Sequence, residues 1–129
     1  MTQEDKELLL KDLCARLPYG VICHYDTIVP MVDKVKSYGR LYNISFFDIK
    51  PCFQFHCNRD VFDFDNVKPY LFPLSSMTEE QKAELEQIKN SEDAPYYHDI
   101  NDFFLKHHLD NRHLIEKGLA IDAKGLNIY

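Results

Sequence analysis

The sequence has no long apolar run, few glycines and no excess of basic charge. In a chain of 129 residues, no stretch approaches the roughly 20 apolar residues that a membrane-spanning helix needs. Only 4 residues are glycine, which disfavours a glycine-rich loop of the kind that binds phosphate groups. The 15 basic side chains are outnumbered by 21 acidic ones, and the net charge of −6 disfavours nucleic acid. We therefore expect neither a membrane nor a nucleic-acid partner.

Signals for secretion and for paired metal-binding thiols are missing as well. Residues 1–5 (MTQED) are acidic, whereas a signal peptide begins with basic and then apolar residues. The 4 cysteines form no CxxC pair. We therefore expect a cytoplasmic protein with reduced thiols. Cys14 lies among leucines, and we expect it to be a small buried hydrophobic residue.

The residues that are present indicate one globular domain over 1–129. Apolar residues make up 45% of the chain and charged residues 28%, which is the balance of a folded rather than a disordered protein. The hydrophobic period predicts an N-terminal helix within 1–18 and a β-sheet over 19–74. A helical segment and a C-terminal tail follow over 75–129. The predicted fold class is therefore α+β.

A single apolar stripe predicts the N-terminal helix over residues 3–17. Thr2 is its expected N-cap, and Pro18 ends it, because the residue before a proline is pushed out of the helical region. Arg16 is expected near the C-terminal end, where a cation complements the helix dipole. The stripe consists of Leu9, Leu10, Leu13, Cys14 and Leu17.

Between residues 19 and 74, apolar residues alternate as they do in short β-strands. A turn is predicted at residues 37–40, and Phe53 and Phe55 are expected on the buried face of one strand. Because aromatic side chains fill a small core well, the pattern predicts a bent antiparallel sheet or an SH3-like barrel. The predicted strands are Tyr19–Tyr25, Thr27–Ser37, Leu41–Phe47, Cys52–Cys57 and Val61–Asp65, with Phe62 and Phe64 inward in the last.

Prolines and caps organise the rest of the chain. Pro69 and Pro73 flank a segment that we expect to be an extended strap rather than a central strand, since proline has no amide hydrogen. Thr78 and Gln81 form a capping box that begins a helix over 79–90. The remaining predicted elements are a helix over 100–108 capped by Asp99, a short helix capped by Asp110 and ended by Gly118, and a docking tail, Leu119–Tyr129.

Candidate catalytic and metal-binding residues are scattered rather than grouped. Cys52 and His56 share a strand face but are separated by roughly 13 Å, too far for one metal ion. The sequence leaves open whether Cys23, Cys52, His56 and Cys57 converge. No nucleophile, metallohydrolase or nucleotide-binding motif is present, so no catalytic, cofactor-binding or metal-binding residue is predicted. The other side chains considered are Asp60, Asp63, Asp65, His98, His107, His108 and His113.

Three segments carry a resemblance: Lys11–Val21 (KDLCARLPYGV), Val67–Gln81 (VKPYLFPLSSMTEEQ) and His113–Tyr129 (HLIEKGLAIDAKGLNIY). Together they resemble a group of small uncharacterised proteins found in gut anaerobic bacteria, often within prophages and other mobile elements. No activity is known for these proteins, so the resemblance implies no site residue. If the three segments form a common frame, residues 22–66 are where a specific partner would be recognised.

These patterns predict a non-enzymatic protein-interaction or accessory protein with which a mobile element modulates its host. Residues 75–102 are strongly acidic, which is typical of a solvated helix; the alternative is an acidic surface that meets a basic partner. The first alternative is a nucleic-acid-binding module that uses the small barrel as a stacking groove. The second is a small enzyme that uses Cys and His. The residues expected in the stacking groove are Tyr25, Tyr38 and Tyr42 beside Lys34, Lys36 and Arg40.

Overall fold

A computed structural model describes residues 1–29, 32–48, 50–56, 59–61, 64–90 and 96–129. Within these residues, three α-helices and one six-stranded sheet form an α+β fold, which confirms the predicted class. The helices are α1 (Gln3–Arg16), α2 (Glu79–Lys89) and α3 (Tyr96–Lys106). The strands are β1 (Ile22–Val29), β2 (Val32–Phe47), β3 (Lys50–Phe55), β4 (Arg59–Val61), β5 (Val67–Leu71) and β6 (Ile121–Asp122).

The sheet is open and mixed, with the strand order β4-β3-β2-β1-β5-β6. Its neighbouring strands pair antiparallel, except that β6 pairs with β5 in parallel. The expected closure into a barrel is therefore wrong. The reason is that the C-terminal strand adds beside β5, so that β4 and β6 remain at opposite edges of the sheet.

The turn predicted at residues 37–40 is wrong, because β2 continues through this segment. Gly39 serves packing rather than a turn: a Cβ here would lie 3.5 Å from the ring of Tyr25. Tyr25 in turn stacks on Phe55, with ring centroids 4.3 Å apart. The glycine thus makes room for two stacked rings, while a bulge between Leu41 and Asn43 shifts the register of β2 against β3.

The strap predicted between the prolines is also wrong, since β5 lies inside the sheet. Pro69 pairs with Cys23 of β1, and the parallel pairing with β6 begins one residue later, at Tyr70. A residue without an amide hydrogen is tolerated there because the ladder with β6 does not include it.

The main core lies between α1 and one face of the sheet, which we call the inner face. Phe53 and Phe55 are both fully buried in it, as predicted. Phe64 packs edge-on against Phe53, with centroids 5.4 Å apart, although the predicted fifth strand is wrong. Strand β4 ends at Val61, and residues 64–66 form a 3₁₀ turn. Phe62 lies outside the described residues.

The predicted N-cap Thr2 and the predicted capping box at Thr78 are confirmed, and Thr2 also forms a capping box with Asp5. The Thr2 hydroxyl accepts from the Asp5 amide at 3.1 Å, and the Thr78 hydroxyl accepts from the Gln81 amide at 3.1 Å. The expectation for Cys14 is wrong, because this side chain is exposed. The buried stripe of α1 instead comprises Leu9, Asp12, Leu13 and Arg16.

Two caps predicted in the second half are wrong. Helix α3 begins at Tyr96, so Asp99 lies inside its first turn. Asp110 does not begin a helix: its carboxylate accepts from the amides of Leu114 at 2.8 Å and Ile115 at 3.0 Å and orders a turn. The tail docks as expected, because it supplies β6 and the buried residues Leu119, Ala120 and Ala123.

Candidate functional site

Among the cysteines and the histidine around β3, the described residues Cys23, Cys52 and His56 are not grouped as a metal site. Cys23 of β1 and Cys52 of β3 are fully buried, whereas His56 is exposed beside the ring of Tyr42. Cys57 lies outside the described residues. In the described parts of the chain, no three His, Cys, Asp or Glu side chains are placed to hold a metal ion. Burial raises the pKa of the Cys23 thiol, which keeps it protonated and a weak nucleophile.

The described histidines of the second half, His107, His108 and His113, do not converge either. Nε2 of His107 lies 3.1 Å from Oε2 of Glu84. His108 instead stacks on Tyr129, with ring centroids 3.7 Å apart, and His113 is exposed. Asp65 is exposed in the 3₁₀ turn after β4. The side chains of Asp60, Asp63 and His98 lie outside what the structure describes.

Three side chains of β2 form an exposed row on the face of the sheet opposite α1, which we call the outer face. Tyr38 is 62% exposed, Tyr42 is 48% exposed, and Arg40 between them is exposed as well. The row follows from strand alternation, because Gly39 and Leu41 point to the inner face. We call Tyr38, Arg40 and Tyr42 the β2 face.

The neighbouring strands add polar and basic side chains to this face. His24 of β1 is opposite Tyr38 in register, and Lys68 of β5 is opposite His24. The ring of Tyr70 meets the rings of His24 and Tyr38 edge-on, with centroids 6.4 Å apart in each case. The Asp26 carboxylate lies 3.4 Å from Nε2 of His24. The β2 face is therefore flanked by basic side chains and by one carboxylate.

A groove of about 410 Å³ runs beside Arg40 and Tyr42. One wall is the 3₁₀ turn that follows α1, and the other is formed by β2 and the end of β3. Its volume lies within the range of small-ligand and peptide side-chain pockets. The groove is lined by Leu17, Pro18, Tyr19, Gly20, Arg40, Leu41, Tyr42 and His56.

The Arg40 side chain lies against Gly20 at the groove. The φ of +68° at Gly20 is a left-handed conformation that suits glycine, and a Cβ at this position would lie 3.2 Å from Nε of Arg40. The side chain of Arg40 therefore lies across the glycine. Among the described residues, its guanidinium has neither an ion-pair partner nor a hydrogen-bond partner.

The groove is anchored to the helical half of the molecule. The Tyr19 hydroxyl donates to Oδ1 of Asp102 at 2.9 Å, which fixes the Tyr19 side chain at the groove wall. This hydrogen bond is also the main cause that raises the pKa of Tyr19. The carboxylate of Asp102 adds negative charge near the groove rim.

The C-terminal residues cover another part of the outer face. The Tyr129 hydroxyl donates to the Tyr70 carbonyl at 2.8 Å and accepts from the Ile22 amide at 2.9 Å. Its ring stacks on His108, which has a φ of +56°. Tyr70 is 9% exposed, whereas the β2 face stays open.

His108 gives the fold a specific pH dependence. Burial, followed by the positive charge of Arg16, lowers its pKa from 6.5 to about 4. Between these pH values the unfolded chain binds a proton that the folded chain does not, so the stability contribution present above pH 6.5 is lost toward pH 4. We expect His108→Asn, which tolerates a positive φ, to flatten the dependence of unfolding free energy on pH in denaturant titrations. An unchanged slope in this variant would contradict the assignment.

The sequence identified part of this surface. Tyr38, Tyr42 and Arg40 lie together as the alternative reading expected, but Tyr25 is 2% exposed and belongs to the core. The side chains of Lys34 and Lys36 lie outside the described residues. Gly20 was missed and His56 was considered only as a metal ligand, because the groove joins residues that are distant in sequence, such as Gly20 and His56.

The acidic second half has a different character from the β2 face. Glu79, Glu80 and Glu86 are exposed along α2. Lys106 lies 2.6 Å from Glu84, and this contact lowers the pKa of Glu84. These side chains are solvated or paired at the surface and surround no groove that the structure describes.

No family model, curated protein or solved structure matches the chain. The β2 face and the adjoining groove are therefore the basis for a functional proposal. Across the described residues, none of the helices combines the length and the apolar character required to cross a membrane.

Proposed function

We propose that this chain is a non-enzymatic protein-interaction module that binds its partner through the β2 face and the adjoining groove. The single observation that carries the proposal is the open row of Tyr38, Arg40 and Tyr42. The resemblance of its flanking segments to proteins of mobile elements extends the proposal to an accessory role, in which the partner belongs to the host.

The composition of the row supports a protein partner. Tyrosine and arginine are enriched among the residues that dominate binding energy at protein interfaces. Tyrosine contributes a large rigid surface with one polar tip. Aromatic rings that are exposed to water are typical of a surface that a partner covers. The three residues also lie on one strand of the sheet, β2, so a partner would meet a preformed surface.

A second candidate is single-stranded nucleic acid, which the same row favours because bases stack on tyrosine rings. Lys68 and His24 lie in the next strands. The net charge of −6 opposes this candidate. Phosphate binding rests on several clustered cations, whereas Lys68 of β5 is separated from Arg40 of β2 by strand β1. A protein partner is therefore favoured.

Photocrosslinking from the β2 face tests the proposal. We expect a photoreactive phenylalanine derivative at position 42, introduced in the native host, to give one discrete crosslinked protein band. Leu126 is 50% exposed and serves as the control position, from which this band should be absent. The band should weaken strongly when Tyr38→Ala is added, because the partner loses a neighbouring contact.

Two outcomes would contradict the proposal. A crosslinked product removed by nuclease treatment would favour the nucleic-acid candidate. Equal crosslinking from positions 42 and 126 would show that the β2 face is not the binding surface.

A further inference from the structure

We infer that the partner is an acidic peptide segment, which places a carboxylate on Arg40 and an adjacent residue in the groove. This inference rests on the proposed function and specifies the chemistry of the partner at the same surface.

The state of Arg40 supports a carboxylate ligand. Arg40 is the one full cation in the groove lining, and within the described residues no carboxylate neutralises it. A guanidinium presents a planar fork of donors that matches a carboxylate through two parallel hydrogen bonds. Because the side chain lies across Gly20, part of its freedom is already lost before a ligand binds.

The rest of the groove leaves room for a residue next to that carboxylate. The accessible lining of the groove is mainly polar, and Tyr19, Tyr42 and His56 contribute side chains with polar atoms. The Tyr42 ring is itself held against His56, with centroids 5.0 Å apart. The groove of about 410 Å³ is larger than one carboxylate requires.

Charge argues for a peptide rather than a polyanion. A nucleic acid places a phosphate on each nucleotide, and its affinity grows with the number of cations that contact these phosphates. The groove offers one arginine and one histidine, and Asp102 lies beside Tyr19 at its rim. One or two carboxylates match this charge better than a run of phosphates.

Selection from a displayed library of random dodecapeptides tests the inference. We expect peptides selected on the wild-type protein to share an Asp or Glu residue. A synthetic peptide of the selected consensus should lose affinity about tenfold to a hundredfold for Arg40→Gln, because a charge-assisted contact is lost. Replacing the acidic residue of the peptide by its amide should cause the same loss. Combining Arg40→Gln with the amide substitution in the peptide should lower the affinity little more than either change alone.

A matched control separates local from overall charge. Lys124→Gln removes one exposed positive charge outside the groove and should leave the affinity within about twofold. Thermal melting of both variants checks that the fold is intact, which is expected because both side chains are exposed.

The remaining outcomes separate this inference from the proposed function. Selected peptides that lack an acidic residue and lose binding with Tyr42→Ala, but not with Arg40→Gln, would overturn the inference and leave the proposed function standing. If selection on the wild-type protein enriched peptides no better than selection on the Tyr38→Ala/Tyr42→Ala variant, the proposed function itself would be contradicted. Tighter binding of a 20-nucleotide single-stranded DNA than of the peptides, sensitive to Arg40→Gln, would assign the surface to nucleic acid.

Discussion

Replacing Asp12 by alanine is expected to lower the free energy of unfolding by about 3–5 kcal/mol, because it leaves a buried arginine without its counter-charge. Arg16 is fully buried, and its Nε donates to Oδ2 of Asp12 at 2.8 Å. The other oxygen, Oδ1, accepts from Nη1 of Arg112 at 3.0 Å. Asp12 therefore joins α1 to the C-terminal segment through two cations. Since domains of this size are stable by about 5–15 kcal/mol, such a loss is a large share of the total.

Two comparisons test the cause of this loss. The double variant Asp12→Leu/Arg16→Met replaces the buried pair by apolar side chains and should recover much of the stability in urea titrations. Glu79→Ala removes one partner of an exposed pair, in which Lys82 lies 3.4 Å away, and should cost less than about 1 kcal/mol. If Asp12→Ala were as mild as Glu79→Ala, the buried network would not be a major source of stability.

Replacing Phe55 by alanine should destabilise the sheet core by about 3–5 kcal/mol, since the cavity left by the ring cannot close fully. Phe55 is fully buried on β3 and stacks on Tyr25 with an interplanar angle of 18°. Gly39 lies against both residues, so the variant loses the stacking surface at the point where β1, β2 and β3 meet.

Phe46→Ala is the matched control, because it removes the same side chain from a position that is 53% exposed. It should change the free energy of unfolding by less than about 1 kcal/mol. Denaturant titrations of the two variants under identical conditions measure the difference. Equal effects would show that the ring of Phe55 is not a central part of the core.

Local signals in the sequence determined several elements correctly. Thr2 and Thr78 begin α1 and α2 because a capping box needs residues only three positions apart, and such contacts form in any tertiary context. Strand alternation likewise determined that Phe53 and Phe55 share the core. The sequence also grouped Tyr38, Arg40 and Tyr42 as exposed residues of one candidate groove, which is the part of the candidate site that could be predicted.

Tertiary contacts decided the features that sequence patterns misassigned. Arg16 suits the exposed end of a helix, yet its Nη2 donates to the carbonyl of Leu109, 93 residues away, at 2.7 Å. Gly39 suits a turn, yet the stacked rings of Tyr25 and Phe55 make it part of a long strand. The groove at Arg40 likewise exists only because the turn after α1 lies against β2. The physical reason is common to all three: the partner that gives each residue its role is distant in sequence, so no local pattern encodes the contact.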